Sequence, residues 1–370
     1  MSGLKVDVIT LDAVQNYGSV LQAYATQRFL EKKGCDVTVI NYVRDDVRYE
    51  KLLDTWSGGN PVKKAVMLPT VRRWRQVFDG FRHENLHLTE RQYTTEEDFA
   101  SYPLTADAYC TGSDQVWNCV WNRGVIPPLY LSFVPAGSFK FAFAASFGRD
   151  ALPEEEVGLT REYIKEYACI SVRESSGVSI LKKQYGYENA VDLIDPTLTV
   201  SGEEWRELGA GEKIGEPYIL IYNLNRSREF DEYAVSLARR SGLKLVRICT
   251  RYDQFYRPGK SVLIPDLYEF ISLIDHARYV LTDSFHATAF SMNMDTEPIC
   301  VYPKEFGGRI ESFLSLTGQL QRHIADYGDF DVVSRPVDFE AVHEKLREER
   351  EKASAWMDQV LAAAASRRNS

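Results

Sequence analysis

The alternation of strand and helix patterns is the feature that most constrains this chain of 370 residues. Near its start, apolar residues between Val6 and Leu11 predict a short strand, helical spacing follows over 20–30, and residues 36–42 predict a second strand. Gly34 is placed to end the intervening helix. A strand, a helix and a strand this close together indicate a parallel sheet with a right-handed crossover.

The alternation continues, pauses and restarts. Residues 44–100 are irregular and predict peripheral helices, and the Glu- and Gly-rich segment 203–215 predicts a domain junction. Strands are predicted at 106–111, 140–146, 169–172, 190–194, 218–222, 243–249, 261–264, 279–282 and 298–302. Helices are predicted at 175–185, 228–240, 267–276, 284–292 and 337–364. We therefore expect an α/β protein with two facing Rossmann-like domains, 1–205 and 206–335, and a long C-terminal helix within 336–370.

Charge and composition exclude several functions. The net charge is −9, so the chain has no overall attraction to nucleic acid or to an anionic membrane surface. An anionic substrate would therefore need a local cluster of cationic side chains. The sequence shows no signal-peptide pattern and no apolar run of about 18 residues, so we expect a cytoplasmic protein without a transmembrane segment. The six cysteines form no CxxC pair, and we expect reduced, mostly buried thiols.

Ligands of parallel α/β sheets bind at the carboxyl ends of the strands, so polar loops that follow strands are the candidate sites. The first such loop contains Asn16 and Gly18. Gly18 permits close backbone approach, and Asn16 or Ser19 can cap the helix while N–H groups remain available for an anion or a hydroxyl group. A plain capped helix with a glycine turn explains the same residues equally well.

The second polar loop follows the strand predicted at 106–111. It predicts a sugar site in which Asp114 is a general base for a hydroxyl group, Ser113, Gln115 and Asn118 bind a polyol, and Trp117 offers a flat face to a pyranose ring. The structural alternative is an Asx-turn in which Asp114 caps a helix and Trp117 is buried.

Three cationic residues follow other strands. Arg173 is placed to bind a carboxylate or phosphate, with an ion pair to Glu174 or Asp195 as the structural alternative. His286 is predicted in the first turn of a helix that begins near Ser284, where an imidazole can bind a phosphate and deliver a proton. Ser284 itself is a further candidate substrate contact. Arg309, beside Gly307 and Gly308, would add a second cation, although a surface turn explains those glycines as well. The other five histidines show no metal-like spacing, and no metal site is predicted.

Six blocks of sequence together resemble the polysaccharide pyruvyl transferase family. Each block alone is weak, but all six occur in the order found in that family and cover roughly residues 4–320. They are Asn16-Tyr17-Gly18-Ser19 with the residues up to 25, Thr111-Gly112-Ser113-Asp114 with the residues up to 118, 144–148, 171–174, 195–198 and 283–290.

The resemblance implies a GT-B-like two-domain fold and the transfer of pyruvate from phosphoenolpyruvate to a sugar as a ketal. Phosphoenolpyruvate is then the donor substrate, and no cofactor is implied. The acceptor would be a sugar of a cell-surface polysaccharide or of its precursor, either free or lipid-linked. The family's histidine falls on His286 and its arginine on Arg173, whereas the general base at Asp114 is an inference from the loop itself.

Two other functions fit the same residues. A GT-B-type nucleotide-sugar glycosyltransferase would share the fold, since a fold alone does not define a reaction. It would need an acidic residue that binds a ribose after the helix predicted at 284–292, and Glu297, Glu305 and Glu311 form no clear pattern there. A catalytically silent binding protein on the same scaffold is the third hypothesis, and the presence of both Arg173 and His286 weighs against it.

Overall fold

A computed structural model describes residues 3–209, 211, 214–303 and 307–368. The chain divides into two compact units. The first unit contains Met1–Lys64, Phe78–Thr199 and Glu349–Ser370, and the second contains Ala65–Val77 and Val200–Glu348. The predicted domain limits at 205/206 and 335/336 stay predictions.

The first unit is built on a six-stranded sheet in which every strand is parallel to its neighbours. The spatial order is β2-β1-β3-β4-β5-β6. The strands are β1 (Lys5–Ile9), β2 (Asp36–Val39), β3 (Ala108–Thr111), β4 (Lys140–Ala145), β5 (Cys169–Val172) and β6 (Val191–Asp192). The two central strands β3 and β4 are wholly buried, which explains why they are nearly continuous apolar runs.

Helices connect these strands and cover the sheet. Asn16 caps the first helix, as predicted, and Gly34 follows its end with φ +82°. The helices up to residue 199 are α1 (Tyr17–Lys32), α2 (Tyr49–Ser57), α3 (Pro61–Trp74), α4 (Gly80–Asn85), α5 (Glu96–Ser101), α6 (Cys119–Asn122), α7 (Glu154–Lys165), α8 (Ser175–Ile180) and α9 (Pro196–Thr199). The irregular segment 44–100 is thus helical, as expected.

The second unit contains a five-stranded parallel sheet in the order β11-β10-β7-β8-β9. Its strands are β7 (Tyr218–Tyr222), β8 (Lys244–Cys249), β9 (Lys260–Leu263), β10 (Tyr279–Thr282) and β11 (Glu297–Cys300). The remaining helices are α10 (Gly202–Leu208), α11 (Arg228–Ser241), α12 (Leu267–Asp275), α13 (Phe285–Asn293), α14 (Gly308–Leu316) and α15 (Phe339–Arg368). The two parallel sheets and the long C-terminal helix confirm the predicted fold class.

Some local features differ from the predictions, whereas the position of the domain junction stays a prediction. The predicted junction at 203–215 contains α10, because Ser201 and Glu204 form a capping box that begins a helix there; residues 210, 212 and 213 lie outside the described residues. The helix predicted at 175–185 ends at Ile180 and continues as a π-helical turn.

All six cysteines have reduced thiols, with Cys110, Cys249 and Cys300 buried and the other three half-buried. No helix among the described residues is long and apolar enough to cross a membrane.

Candidate active site

The loop after β1 is joined to the loop after β3, because these strands are neighbours in the first sheet. The Asn16 Oδ1 atom accepts hydrogen bonds from the N–H groups of Gly18 (2.9 Å) and Ser19 (3.3 Å). The Ser19 hydroxyl donates to the Oδ2 atom of Asp114. Asn16 is therefore the cap and occupies two of the N–H groups that were expected to be available for a ligand. Ser19, the alternative cap, instead orients the carboxylate of Asp114.

Asp114 has an unusual backbone conformation for a residue with a side chain. Its φ is +71°, in the left-handed region, and its carboxylate is 6% exposed at the carboxyl end of β3. The preceding Ser113 is fully buried and donates to the carbonyl oxygen of Ala144 (2.7 Å) and to Asp195 Oδ2 (3.3 Å). Strained residues of this kind cluster at functional sites, which favours a role for Asp114 beyond a simple turn.

Arg173 lies at the end of β5 within a group of carboxylates, which we call the first-sheet cluster: Asp114, Arg173, Glu174 and Asp195. The guanidinium nitrogens of Arg173 lie 2.6 Å from Asp195 Oδ2, 3.4 Å from Glu174 Oε1 and 3.6 Å from Asp114 Oδ1. The Arg173 side chain is 2% exposed. Burial by itself would lower the pKa of Arg173, but the charges of Asp195, Glu174 and Asp114 raise it overall.

The ion pairs that the sequence analysis left as the structural alternative for Arg173 are therefore present. With all four groups of the cluster ionised, its net charge is −2. An arginine enclosed by three carboxylates is poorly suited to bind a phosphate, because the approaching anion meets a negative field. The same arrangement holds Asp114 in place, so Arg173 is better described as a positioning residue than as an anion clamp.

Trp117, Asn118 and Gln115 lie in or near the core and not on an open sugar site. Trp117 is fully buried, stacks on Tyr130 at 5.6 Å between ring centroids, and donates its indole N–H to the carbonyl oxygen of Leu129. Asn118 is also fully buried and caps α6 through Oδ1, while its Nδ2 group donates to Gln115 Oε1 at 2.6 Å. The expectation that Trp117 stacks on a pyranose is wrong, because no face of its ring is uncovered.

His286 occupies the predicted place in the second unit, in the first turn of α13 after β10. Ser284 caps this helix: its hydroxyl accepts a hydrogen bond from the N–H group of Ala287 at 3.4 Å. The His286 side chain lies at the helix N-terminus and the residue is 7% exposed. Its ring lies 5.3 Å from the ring of Phe285, in an edge-to-face arrangement.

Arg309 lies near the same aromatic ring. It is the second residue of α14, and its guanidinium carbon lies 6.0 Å from the ring centroid of Phe285. His286 and Arg309 thus both lie near the ring of Phe285 within the second unit; that they bind one anion stays a prediction. Glu305, considered above as a possible ribose contact, lies outside the described residues. The expected convergence of Arg173 with His286 and Arg309 stays a prediction.

Asp283 is a structural element of this site that the sequence analysis missed. Its carboxylate accepts hydrogen bonds from the backbone N–H groups of Leu224 (2.7 Å) and Asn225 (2.8 Å). Burial raises the pKa of Asp283, and these hydrogen bonds oppose that rise. The residue therefore ties the loop after β7 to the start of α13. Its position between a strand and a helix cap is the signal that could have revealed it.

Five of the six resembling blocks meet through these contacts in the first unit. The bonds are Ser19 to Asp114, Ser113 to Ala144 and Asp195, Arg173 to Asp195, and Ser146 to Glu174 at 2.7 Å. The block at 283–290 contains Asp283, Ser284 and His286 of the second unit. Among the residues that the structure describes, no group of three or more His, Cys, Asp and Glu side chains is arranged to hold a metal ion.

Comparisons with known proteins agree with the sequence blocks. A family model described as polysaccharide pyruvyl transferase matches residues 16–305. Among curated proteins, none matches the chain by sequence. UDP-N-acetylglucosamine 2-epimerase from Rickettsia bellii is a similar solved structure, with a TM-score of 0.55 and 9% identity over 98% of this chain and 96% of its own. A putative epimerase of the same name from Listeria monocytogenes gives 0.52 and 12% over 95% and 91%. These likenesses concern the fold alone and agree with the GT-B-like class.

Proposed function

Because the chain belongs to the polysaccharide pyruvyl transferase family, we propose that it transfers pyruvate from phosphoenolpyruvate to two hydroxyl groups of a sugar. The sugar is part of a cell-surface polysaccharide or of its precursor. The methylene carbon of phosphoenolpyruvate takes up a proton, and a sugar hydroxyl attacks the adjacent carbon and loses its own proton. Inorganic phosphate then leaves, and the second hydroxyl closes the ketal ring as its proton passes to the departing phosphate.

The observation that carries this proposal is the place of His286. It lies at the N-terminus of α13, at the carboxyl end of β10, and it shares the ring of Phe285 with Arg309. Helix N-termini favour bound anions, and a histidine can both contact a phosphate and transfer a proton near neutral pH. His286 is thus the proposed general acid, Arg309 the cation that binds the phosphate or carboxylate, and Ser284 the residue that fixes the helix start.

Asp114 is the proposed base for the attacking hydroxyl group. Ser19 and Arg173 orient its carboxylate. Its left-handed backbone conformation, with φ +71°, turns the chain out of the extended conformation after β3. Arg173 acts through Asp114 in this scheme. Asn16 remains a proposed acceptor contact, whereas Gly18, Ser113, Gln115, Trp117 and Asn118 support the loops from within. Phosphoenolpyruvate is a substrate, and the scheme calls for no further cofactor.

The test is a transfer assay with purified protein, phosphoenolpyruvate and candidate oligosaccharides. Pyruvylated product is followed by mass spectrometry and phosphate release by colorimetry. We expect His286→Gln to lower the rate by about 10²–10⁴-fold, the usual contribution of a general acid. His87→Gln is the matched control, because the His87 side chain is 68% exposed and lies outside the proposed site.

Circular dichroism must show that both variants are folded. A folded His286→Gln protein that retains the wild-type rate would refute the assignment of the acid. Thermal stabilisation by nucleotide sugars but not by phosphoenolpyruvate, together with glycosyl transfer and no pyruvylated product, would favour the glycosyltransferase hypothesis instead.

A further inference from the structure

The second unit contains a cavity that none of the proposed site residues lines. Its volume is about 650 Å³, and its walls come from residues within 226–236 and 254–258. These segments are the loop after β7 with the first half of α11, and the connection between β8 and β9. The loop after β7 follows the carboxyl end of its strand, where ligands of parallel sheets bind, and the connection from β8 returns along the sheet to the amino end of β9.

Arginines dominate the polar part of this cavity. Arg257 lies with its Nε atom 3.0 Å from Asp231 Oδ2, and the buried Arg247 binds the same carboxylate. Arg228 pairs with Glu232 at 2.7 Å on the neighbouring turn of α11. Three arginines thus pair with two carboxylates, so these side chains together carry a net positive charge.

Arg226 adds a further positive charge. Arg251 beside the cavity is paired with Asp253 at 2.7 Å, whereas no carboxylate of the described residues lies within ion-pair distance of Arg226. Counting these side chains alone, five arginines face three carboxylates. Partial burial lowers the pKa of Arg226, the positive charges of Arg251 and Arg257 lower it further, and the negative charge of Asp253 opposes them in part. A bound anion would relieve this repulsion, and the planar guanidinium group suits phosphate oxygens.

The cavity adjoins the edge of the sheet that carries His286. Asp283 binds the N–H groups of Leu224 and Asn225, and Arg226 is the next residue. The loop that bears Arg226 is therefore fixed to the residue that precedes the cap of α13. An anion at Arg226 and a substrate at His286 would occupy adjacent parts of one edge.

The size and remaining walls of the cavity indicate more than a small anion. Cavities of about 300–1,000 Å³ take ligands of drug or nucleotide size. Tyr256 is 76% exposed at its rim, and Val235 and Pro258 give an apolar wall beside the arginines. A phosphate group bearing a flat or apolar substituent fits this combination of surfaces.

We propose that this cavity binds the diphosphate group of a sugar diphosphate, and that the sugar attached to it is the acceptor. The identification of this sugar as the acceptor rests on the proposed function, whereas the binding of a diphosphate group to the cavity does not. The diphosphate can come from a nucleotide or from a polyprenyl carrier, since both present the same anionic group on a flat or apolar substituent.

The test is isothermal titration calorimetry of the full chain with inorganic pyrophosphate, uridine diphosphate, farnesyl diphosphate and phosphoenolpyruvate. Arg226→Ala should weaken pyrophosphate binding by about 10- to 100-fold, the usual effect of a hydrogen bond between charged groups. Arg239→Ala is the matched control, because Arg239 is exposed near the C-terminal end of α11, away from the half of the helix that lines the cavity. Equal affinity of the wild type and Arg226→Ala for pyrophosphate would overturn the site.

The two organic diphosphates identify the source. Tighter binding of uridine diphosphate than of pyrophosphate supports a nucleotide-linked sugar, and tighter binding of farnesyl diphosphate supports a lipid-linked one. If neither binds more tightly than pyrophosphate, the sugar diphosphate ligand is wrong. Phosphoenolpyruvate binding should not change in Arg226→Ala. If Arg226→Ala loses pyrophosphate binding, the cavity assignment is supported. If the wild type in addition transfers no pyruvate, the proposed function is refuted while the cavity assignment still holds.

Discussion

Replacing Arg173 by methionine should destabilise the fold, and most of its effect on activity should follow from that. The side chain is 2% exposed and lies within 2.6–3.6 Å of three carboxylates, of which Asp195 is fully buried. Methionine has a similar apolar length but no charge. The variant therefore leaves three buried carboxylates without their common cation, two of them brought there by loops that are distant in sequence.

The magnitude follows from the cost of an uncompensated buried charge. Removing one partner of a buried ion pair usually costs about 3–5 kcal/mol. Hydrogen bonds that remain in Arg173→Met offset part of this, since Asp195 keeps Thr197, Glu174 keeps Ser146 and Asp114 keeps Ser19. We therefore expect a loss of about 3 kcal/mol in the free energy of unfolding at pH 7.

Urea denaturation at pH 7.0 measures this loss. Arg28→Met is the control: Arg28 forms an exposed pair with Glu31, and its removal should cost less than about 1 kcal/mol. An Arg173→Met protein as stable as the wild type but unable to transfer pyruvate would refute this reasoning and assign Arg173 to the substrate.

Two further predictions concern the framework of the first unit. Burial raises the pKa of Asp7 from 3.8 to about 6, so the folded protein retains a proton that the unfolded chain loses, and its stability falls as pH rises toward 6. Asp7→Asn removes this dependence. Urea denaturation should show that the unfolding free energy of the variant, relative to that of the wild type, rises by about 2 kcal/mol from pH 4.5 to 7. If the unfolding free energies of the two proteins change with pH in parallel, the raised pKa of Asp7 is not the cause. Gly148→Ala should cost about 1–3 kcal/mol, because φ is +64° and a Cβ atom would lie 2.5 Å from Gln115 Oε1. Gly158→Ala on α7, where nothing lies within 4 Å, should not be destabilising in the same denaturation assay.

The sequence predicted the strands well because a parallel strand buried on both faces is an apolar run that ends at a polar loop. The run at β7 (Tyr218–Tyr222) matches its prediction to the residue, since all five side chains are buried. Boundaries were less predictable where a helix depends on one capping interaction. Ser201 and Glu204 begin α10 within a segment whose Glu and Gly content resembles a linker, and their contact is visible only in three dimensions.

Trp117 shows why the order of residues in a loop does not determine which side chains are open to a ligand. It lies between polar neighbours and has the right chemistry for a sugar platform, yet its indole N–H finds a partner in the carbonyl group of Leu129 and its ring completes the core. An aromatic residue with a satisfied polar tip gains more by burial than by exposure. Nothing in the sequence places Leu129 beside Trp117.

The roles of the cations depend on strand order, which the sequence does not encode locally. Each of the carboxylates Asp114, Glu174 and Asp195 reaches Arg173 because β3, β4, β5 and β6 lie side by side, so their loops share one edge. This edge has a negative excess and suits hydroxyl groups that must lose protons. At the carboxyl edge of the second sheet, His286 and Arg309 both lie near the ring of Phe285. We therefore expect the anionic donor to bind to the second unit. Arg173, despite its positive charge, should act on the acceptor instead, because it positions Asp114 to deprotonate the acceptor hydroxyl.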